Sequence, residues 1–171
     1  MKAIFDLPEA HTRALEIIYN RMLSVDILWA LTGSAGLRLQ GVDIPIHDLD
    51  IQSDQAGIYE MERRLSEFIF TPVHIWESEY TRSLFGKAKI AGIGVDLIGD
   101  MAHLKPDGGW EPPSDLKIRV FVGWHNLHIP VLPLGYEASA YEKMGRLEKA
   151  SKIRAVLKVG GRKIITENTD D

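Results

Sequence analysis

The sequence predicts an α+β fold: a mixed β-sheet flanked by helices, with a short C-terminal helical segment. Three observations carry that expectation. Stretches with apolar residues spaced near 3.6 are interspersed with short apolar runs of strand length. Two such runs, residues 84–90 and 93–98, meet at Ala91-Gly92 and read as a hairpin. After Pro133 the pattern becomes helical again.

The elements follow in order. Pro8 and Glu9 open a segment in which Ala14, Leu15, Ile17, Ile18, Met22 and Leu23 recur at helical spacing. Proline suits the first turn and an acidic side chain suits its positive end, so a helix is expected over 8–24. ILWALT (27–32) reads as a buried strand ending at Gly33, and residues 35–40 read as a short helix stopping before Gly41. Residues 43–47 form a loop around Pro45, and residues 48–52 alternate as a strand. An amphipathic helix is expected over 57–70, with Ile58, Met61, Leu65, Phe68 and Ile69 on one face. A strand over 73–77 follows Pro72, and the hairpin comes next. KPDGGWEPPSD (105–115) is a loop, and 116–122 and 127–131 are lesser strand candidates. Residues 138–145 and 146–159 read as one broken helix or two successive ones, and the tail GRKIITENTDD is expected to fray.

Composition narrows the class. A chain of 171 residues has room for one domain with a genuine core, and 45% hydrophobic with 26% charged residues suits a folded globular protein. The net charge of −4 and pI near 5.9 speak against a large nucleic-acid footprint. Cysteine is absent, which excludes disulfides and thiolate metal sites. The opening MKAIFDLPEAHTRALE becomes charged too quickly for a signal peptide, and no apolar run is long enough to cross a bilayer. A soluble, cytoplasmic protein without a membrane partner is expected.

Chemistry concentrates in LTGSAGLRLQGVDIPIHDLDIQS (31–53). Residues two apart on a strand share a face, so Asp48 and Asp50 project together, roughly 7 Å apart at Cα, with Leu49 and Ile51 opposite. Two anions so placed repel, and a divalent cation between them makes the arrangement favourable; oxygen donors alone suit Mg²⁺ or Mn²⁺. Asp96 is a third candidate, on the face opposite Val95 and Leu97 and beside Gly94, whose missing side chain leaves room for a ligand. Three carboxylates from two strands can hold two ions about 4 Å apart, the layout of two-metal phosphoryl transfer, with Asp96 next to the attacking hydroxyl. A structural reading of Asp96 stands beside this one: a two-residue turn at Ala91-Gly92 places Lys87 opposite it as a cross-strand pair. Gly33-Ser34, between strand and helix, can cradle phosphate on free backbone N–H groups, or Ser34 can be an ordinary helix cap.

The order strand, Gly-Ser, short helix, Asp-x-Asp strand, later strand with a lone Asp resembles the nucleotidyltransferase fold shared with DNA polymerase β. Gly33, Ser34, Asp48, Asp50 and Asp96 match its signature, and TGSAGLRLQGVDIPIHDLDIQ is similar to small antibiotic nucleotidyltransferases, lincosamide and aminoglycoside enzymes included. The resemblance covers roughly residues 27–100. It implies transfer of a nucleoside monophosphate from an NTP, ATP foremost, to an acceptor hydroxyl, with two Mg²⁺ (or Mn²⁺) ions and release of pyrophosphate. A weaker echo lies in Tyr141, Lys143, Gly145 and Arg146, with Glu148-Lys149 in place of the family's Lys-Asp. Lys143 and Arg146, three apart on one helical face, could both reach a triphosphate; a solvated charged face is the alternative. The implied organisation is a nucleotidyltransferase-like domain over 1–132 with a helical appendage, 133–171, packed on it. Trp29 and Trp76 read as core, Trp110 as a surface aromatic, and His47 as a loop residue beside the site.

Two rival readings remain at this level. One is a non-catalytic nucleotidyltransferase-like partner of the toxin–antitoxin type, with a homodimer or partner protein completing the site. The other is a metal-dependent phosphohydrolase, which the lack of histidine clustering disfavours.

Overall fold

The computed structural model describes residues 1–167, and the surroundings of side chains as far as residue 160. The elements are α1 (Glu9–Met22), β1 (Trp29–Thr32), α2 (Gly33–Leu39), β2 (Leu49–Ser53), α3 (Gln55–Arg64), β3 (Ile69–Glu77), β4 (Thr81–Ile90), β5 (Ile93–His103), β6 (Val120–Trp124), β7 (Leu127–Val131), α4 (Leu134–Lys143) and α5 (Leu147–Glu167). Among the described residues, seven strands form one mixed sheet in the order β3-β4-β5-β2-β1-β7-β6. β2 runs parallel to β5 and antiparallel to β1, so the centre of the sheet brings distant parts of the sequence side by side.

Most expected elements form, with local corrections. The amphipathic helix ends at Arg64 rather than Phe70; a 3₁₀ turn over Ser66–Phe68 follows and β3 starts at Ile69. Ile69 pairs with Ala88 of β4, and strand pairing of a β-branched residue overrides the helical period there. The strand expected over 116–122 splits. Asp115 caps a 3₁₀ turn at Leu116–Ile118 by accepting from the Lys117 N–H at 3.0 Å, and β6 begins only at Val120. β5 runs on to His103, so the hairpin is longer than its apolar pattern. Trp76 lies on the edge strand β3 and is exposed, against the core role expected of it; Trp29 is buried. α5 carries the helix to Glu167, through most of the tail expected to fray, since each residue added to a formed helix gains one hydrogen bond. The rest of that tail, 168–171, lies outside the described residues.

The core explains the sheet's two faces. Leu15 and Ile18 of α1 and Ile58 and Met61 of α3 pack with Leu49 and Ile51 of β2 and Val95 and Leu97 of β5. Each such side chain contributes roughly 1.5–3 kcal/mol when fully buried. The alternate residues Asp50, Gln52, Asp96 and Ile98 are thereby directed to the other face. There Tyr141 and Ala138 of α4 join Leu37, Val42, Ala150 and Ile153 in a second cluster. No described helix is long and apolar enough to cross a membrane.

Candidate active site

The parallel pairing of β2 with β5 sets Asp50 directly opposite Asp96 in register. Asp48 precedes β2, and its carboxylate lies against Gly94, where a Cβ would come within 2.6 Å of Oδ1. The room left by Gly94 is thus filled by Asp48 itself, which corrects the expectation that it is open to a ligand. The three carboxylates converge on one side of the sheet. Burial, then repulsion from Asp96 and Asp48, pushes Asp50 up to about 7, and a hydrogen bond between the two carboxyl groups keeps the proton on Asp50. Burial also raises Asp96, while Lys87, its cross-strand neighbour on β4, works in the opposite sense. Asp96 thus stands between Lys87 of β4 and Asp50 of β2.

This donor set fits a hard divalent cation. The three groups are oxygen ligands on adjacent strands, and two of them repel strongly enough to retain a proton that a cation would displace. Among the described residues no three His, Asp or Glu side chains stand closed around one point, so the trio is a convergent face rather than a finished cage.

The glycine turn sits against the same aspartate. Gly33 has φ +66, the left-handed region that favours glycine, and a Cβ there would collide with Asp50 Oδ2. Ser34 lies within the first turn of α2 and is half-buried, so it is not the helix cap. Thr32 holds the capping position, but its hydroxyl donates to the Glu137 carboxylate instead. The turn is therefore tied to α4 through a fully buried acid, which burial pushes up to about 7.

Sequence reasoning missed Glu137, because nothing in YEASAYEK distinguishes a buried Glu137 from an exposed Glu142. It also passed over Lys149. That residue is half-buried, its Nζ lies 4.4 Å from the centre of the Tyr141 ring, and Asp50 and Glu137 both attract it. The Arg146 guanidinium stacks on the same ring at 5.3 Å and lines a cavity shared with Gly33 and Asp50. Lys143 does not stand with Arg146 on one helical face. Gly145 (φ +74) ends the helical path between α4 and α5, and Lys143 donates to Glu111 at 2.8 Å. His47 is exposed, and its backbone carbonyl lies 2.6 Å from His11 Nε2. Trp110 is half-buried beneath the Arg82 guanidinium, 4.9 Å away.

A glycine turn against paired carboxylates, with cations across from them, can bind a polyphosphate and direct a hydroxyl at it. The family model for aminoglycoside-2''-adenylyltransferase matches residues 14–157. A crystal structure of a Thermotoga maritima protein, described as a candidate nucleotidyltransferase, superposes with a TM-score of 0.80 at 42% identity, covering 91% of this chain and 97% of that one. The lincomycin-bound lincosamide antibiotic adenylyltransferase LnuA shares the fold at a TM-score of 0.53 and 14% identity, covering 86% of this chain and 99% of that one. No curated protein matches at a significant level. With its matched span running from α1 into α5 and a 42%-identical relative over nearly its whole length, the chain belongs to the aminoglycoside-2''-adenylyltransferase family of nucleotidyltransferases.

Proposed function

We propose that this protein transfers a nucleoside monophosphate from an NTP, ATP foremost, to a hydroxyl group of a small acceptor, releasing pyrophosphate. The observation that carries the reading is the register of Asp50 against Asp96, with the Gly33 turn packed on Asp50. Asp48, Asp50 and Asp96 would hold two Mg²⁺ or Mn²⁺ ions, which neutralise the triphosphate and lower the pKa of the acceptor hydroxyl when bound. Asp96 accepts the proton of the attacking hydroxyl, with Lys87 across the strand pair steadying its charge. Gly33 and Ser34 orient the phosphate chain, and Arg146 and Lys149 offset the charge on the departing pyrophosphate. In this reading residues 133–171 work as one domain with 1–132, because Glu137 and Lys149 face Asp50.

The family's name makes aminoglycosides the first acceptors to try. The non-catalytic alternative is not favoured, since the family match spans the carboxylate trio and the glycine turn. The test is pyrophosphate release from each NTP with Mg²⁺ and a panel of hydroxyl-bearing acceptors. Acceptor-dependent release that disappears in Asp50→Asn supports the reading. Full activity in Asp50→Asn would overturn the role given to the carboxylates.

A further inference from the structure

Two neighbouring cavities lie beneath α4. The first, about 160 Å³, holds Gly33, Asp50 and Arg146 at one end and reaches His103 and Tyr136 at the other. The second, about 210 Å³, starts at His103 and Tyr136 and ends at Glu111 and Lys143. Both are lined by His103, Tyr136 and Ala140, so side by side they extend from the glycine turn to the Lys143–Glu111 ion pair. Asp48 and Asp96 line neither cavity. The space they offer therefore adjoins the glycine turn and Asp50 rather than Asp96.

The lining has the character of a nucleoside site. Ile98, Met101 and Met144 offer apolar surface, and Tyr136 lines both cavities. A small number of polar groups is placed at the end. The Lys143 ammonium donates to Glu111 at 2.8 Å, which leaves the carboxylate with free lone pairs and the ammonium with two further protons. His103 is buried, and its Nδ1 has no hydrogen-bond partner among the described residues. The wall that carries Glu111 is fixed independently of these side chains. The Glu111 N–H donates to the His103 carbonyl at 2.8 Å, the Ser114 N–H donates to the Met101 carbonyl at 2.9 Å, and the hydroxyls of Ser114 and Tyr136 are bonded to each other.

We propose that these cavities form the nucleobase subsite, in which Glu111 accepts from the exocyclic amine of adenine and Lys143 donates to the adjacent ring nitrogen. His103 supplies a third polar contact between base and sugar. The assignment rests on the nucleotidyltransferase reading above and adds its base specificity. Lys143 then serves the base rather than the pyrophosphate, which accounts for its separation from Arg146 by the break at Gly145.

The test is calorimetric titration of the full chain, in Mg²⁺, with ATP, GTP, CTP, UTP and inorganic tripolyphosphate. Wild type, Glu111→Gln and Lys143→Met are compared. Wild type is expected to prefer ATP. Each variant should lose about 10- to 100-fold in ATP affinity, the worth of a charge-assisted hydrogen bond, while tripolyphosphate binding stays within about twofold. ATP preference preserved in both variants would overturn the subsite, as would an equal loss for all four nucleotides and tripolyphosphate. A wild-type preference for GTP overturns the adenine assignment. Wild type that binds no nucleotide at all overturns the functional reading itself, an outcome distinct from the other three.

Discussion

Asp50 and Asp96 stand opposite each other on neighbouring parallel strands, and their carboxyl groups share a hydrogen bond. Two acids so close, one of them half-buried, are costly to an isolated fold.

Asp50→Asn therefore trades function for stability. Removing the buried acid relieves burial and repulsion from Asp96 and Asp48, so the unfolding free energy at pH 8 should rise by on the order of 1–3 kcal/mol. NTP turnover should fall by at least about 100-fold. Urea denaturation and pyrophosphate release check the two halves; a destabilised variant would contradict the assigned electrostatics.

Glu137 predicts a pH slope. Its ordinary value is 4.5 and the folded protein holds it at about 7, so between these values the folded state binds the extra proton. The stabilising contribution is present below pH 4.5 and is lost as pH rises to about 7, on the order of 3 kcal/mol across the window. Asp50 acts in the same sense, from 3.8 to about 7. Glu137→Gln keeps an acceptor for the Thr32 hydroxyl, so it should flatten part of the slope without unfolding the turn. Melting temperatures from pH 4.5 to 8 measure it.

Lys149→Met tests the cation that stands nearest the acids by charge. It removes an ammonium attracted by Asp50 and Glu137 while keeping a chain of similar length over Tyr141. The KM for NTP should rise about 10-fold or more, as for loss of a charge-assisted contact to phosphate. Lys152→Met, on the exposed bond to the Asp43 carbonyl, should change KM little. Steady-state kinetics of both variants decide it.

Gly33→Ala should be more damaging than its single methyl suggests. The new Cβ meets Asp50 and the backbone is left at φ +66, which costs about 1–2 kcal/mol in strain alone. Activity should fall with stability. Gly92→Ala, at a hairpin turn where a Cβ meets nothing within 4 Å, should lower stability by its φ cost and leave NTP binding unchanged. Thermal melts and nucleotide titration separate the two.

Local chemistry made much of this molecule legible. The alternation of Asp48, Leu49, Asp50 and Ile51 tells which side chains share a face, and Ala91-Gly92 fixes the register that sets Lys87 across from Asp96. Both follow from strand geometry over a few residues, which needs no knowledge of the rest of the chain. Helix length was less legible at residues 65–70, where pairing with β4 outcompetes an apolar period that suits either state.

The third wall of the site depends on distance in the chain. Glu137 meets Thr32 across 105 residues, and Lys149 is drawn toward Asp50 from a distant part of the chain. Nothing local marks YEASAYEK as the piece that buries Glu137. Those outcomes come from α4 and α5 packing over the polar face of the sheet, because burial and charge pairing depend on which surfaces meet. The short-range pattern thus specifies the carboxylates and the glycine turn, and long-range packing supplies the groups that hold and balance them.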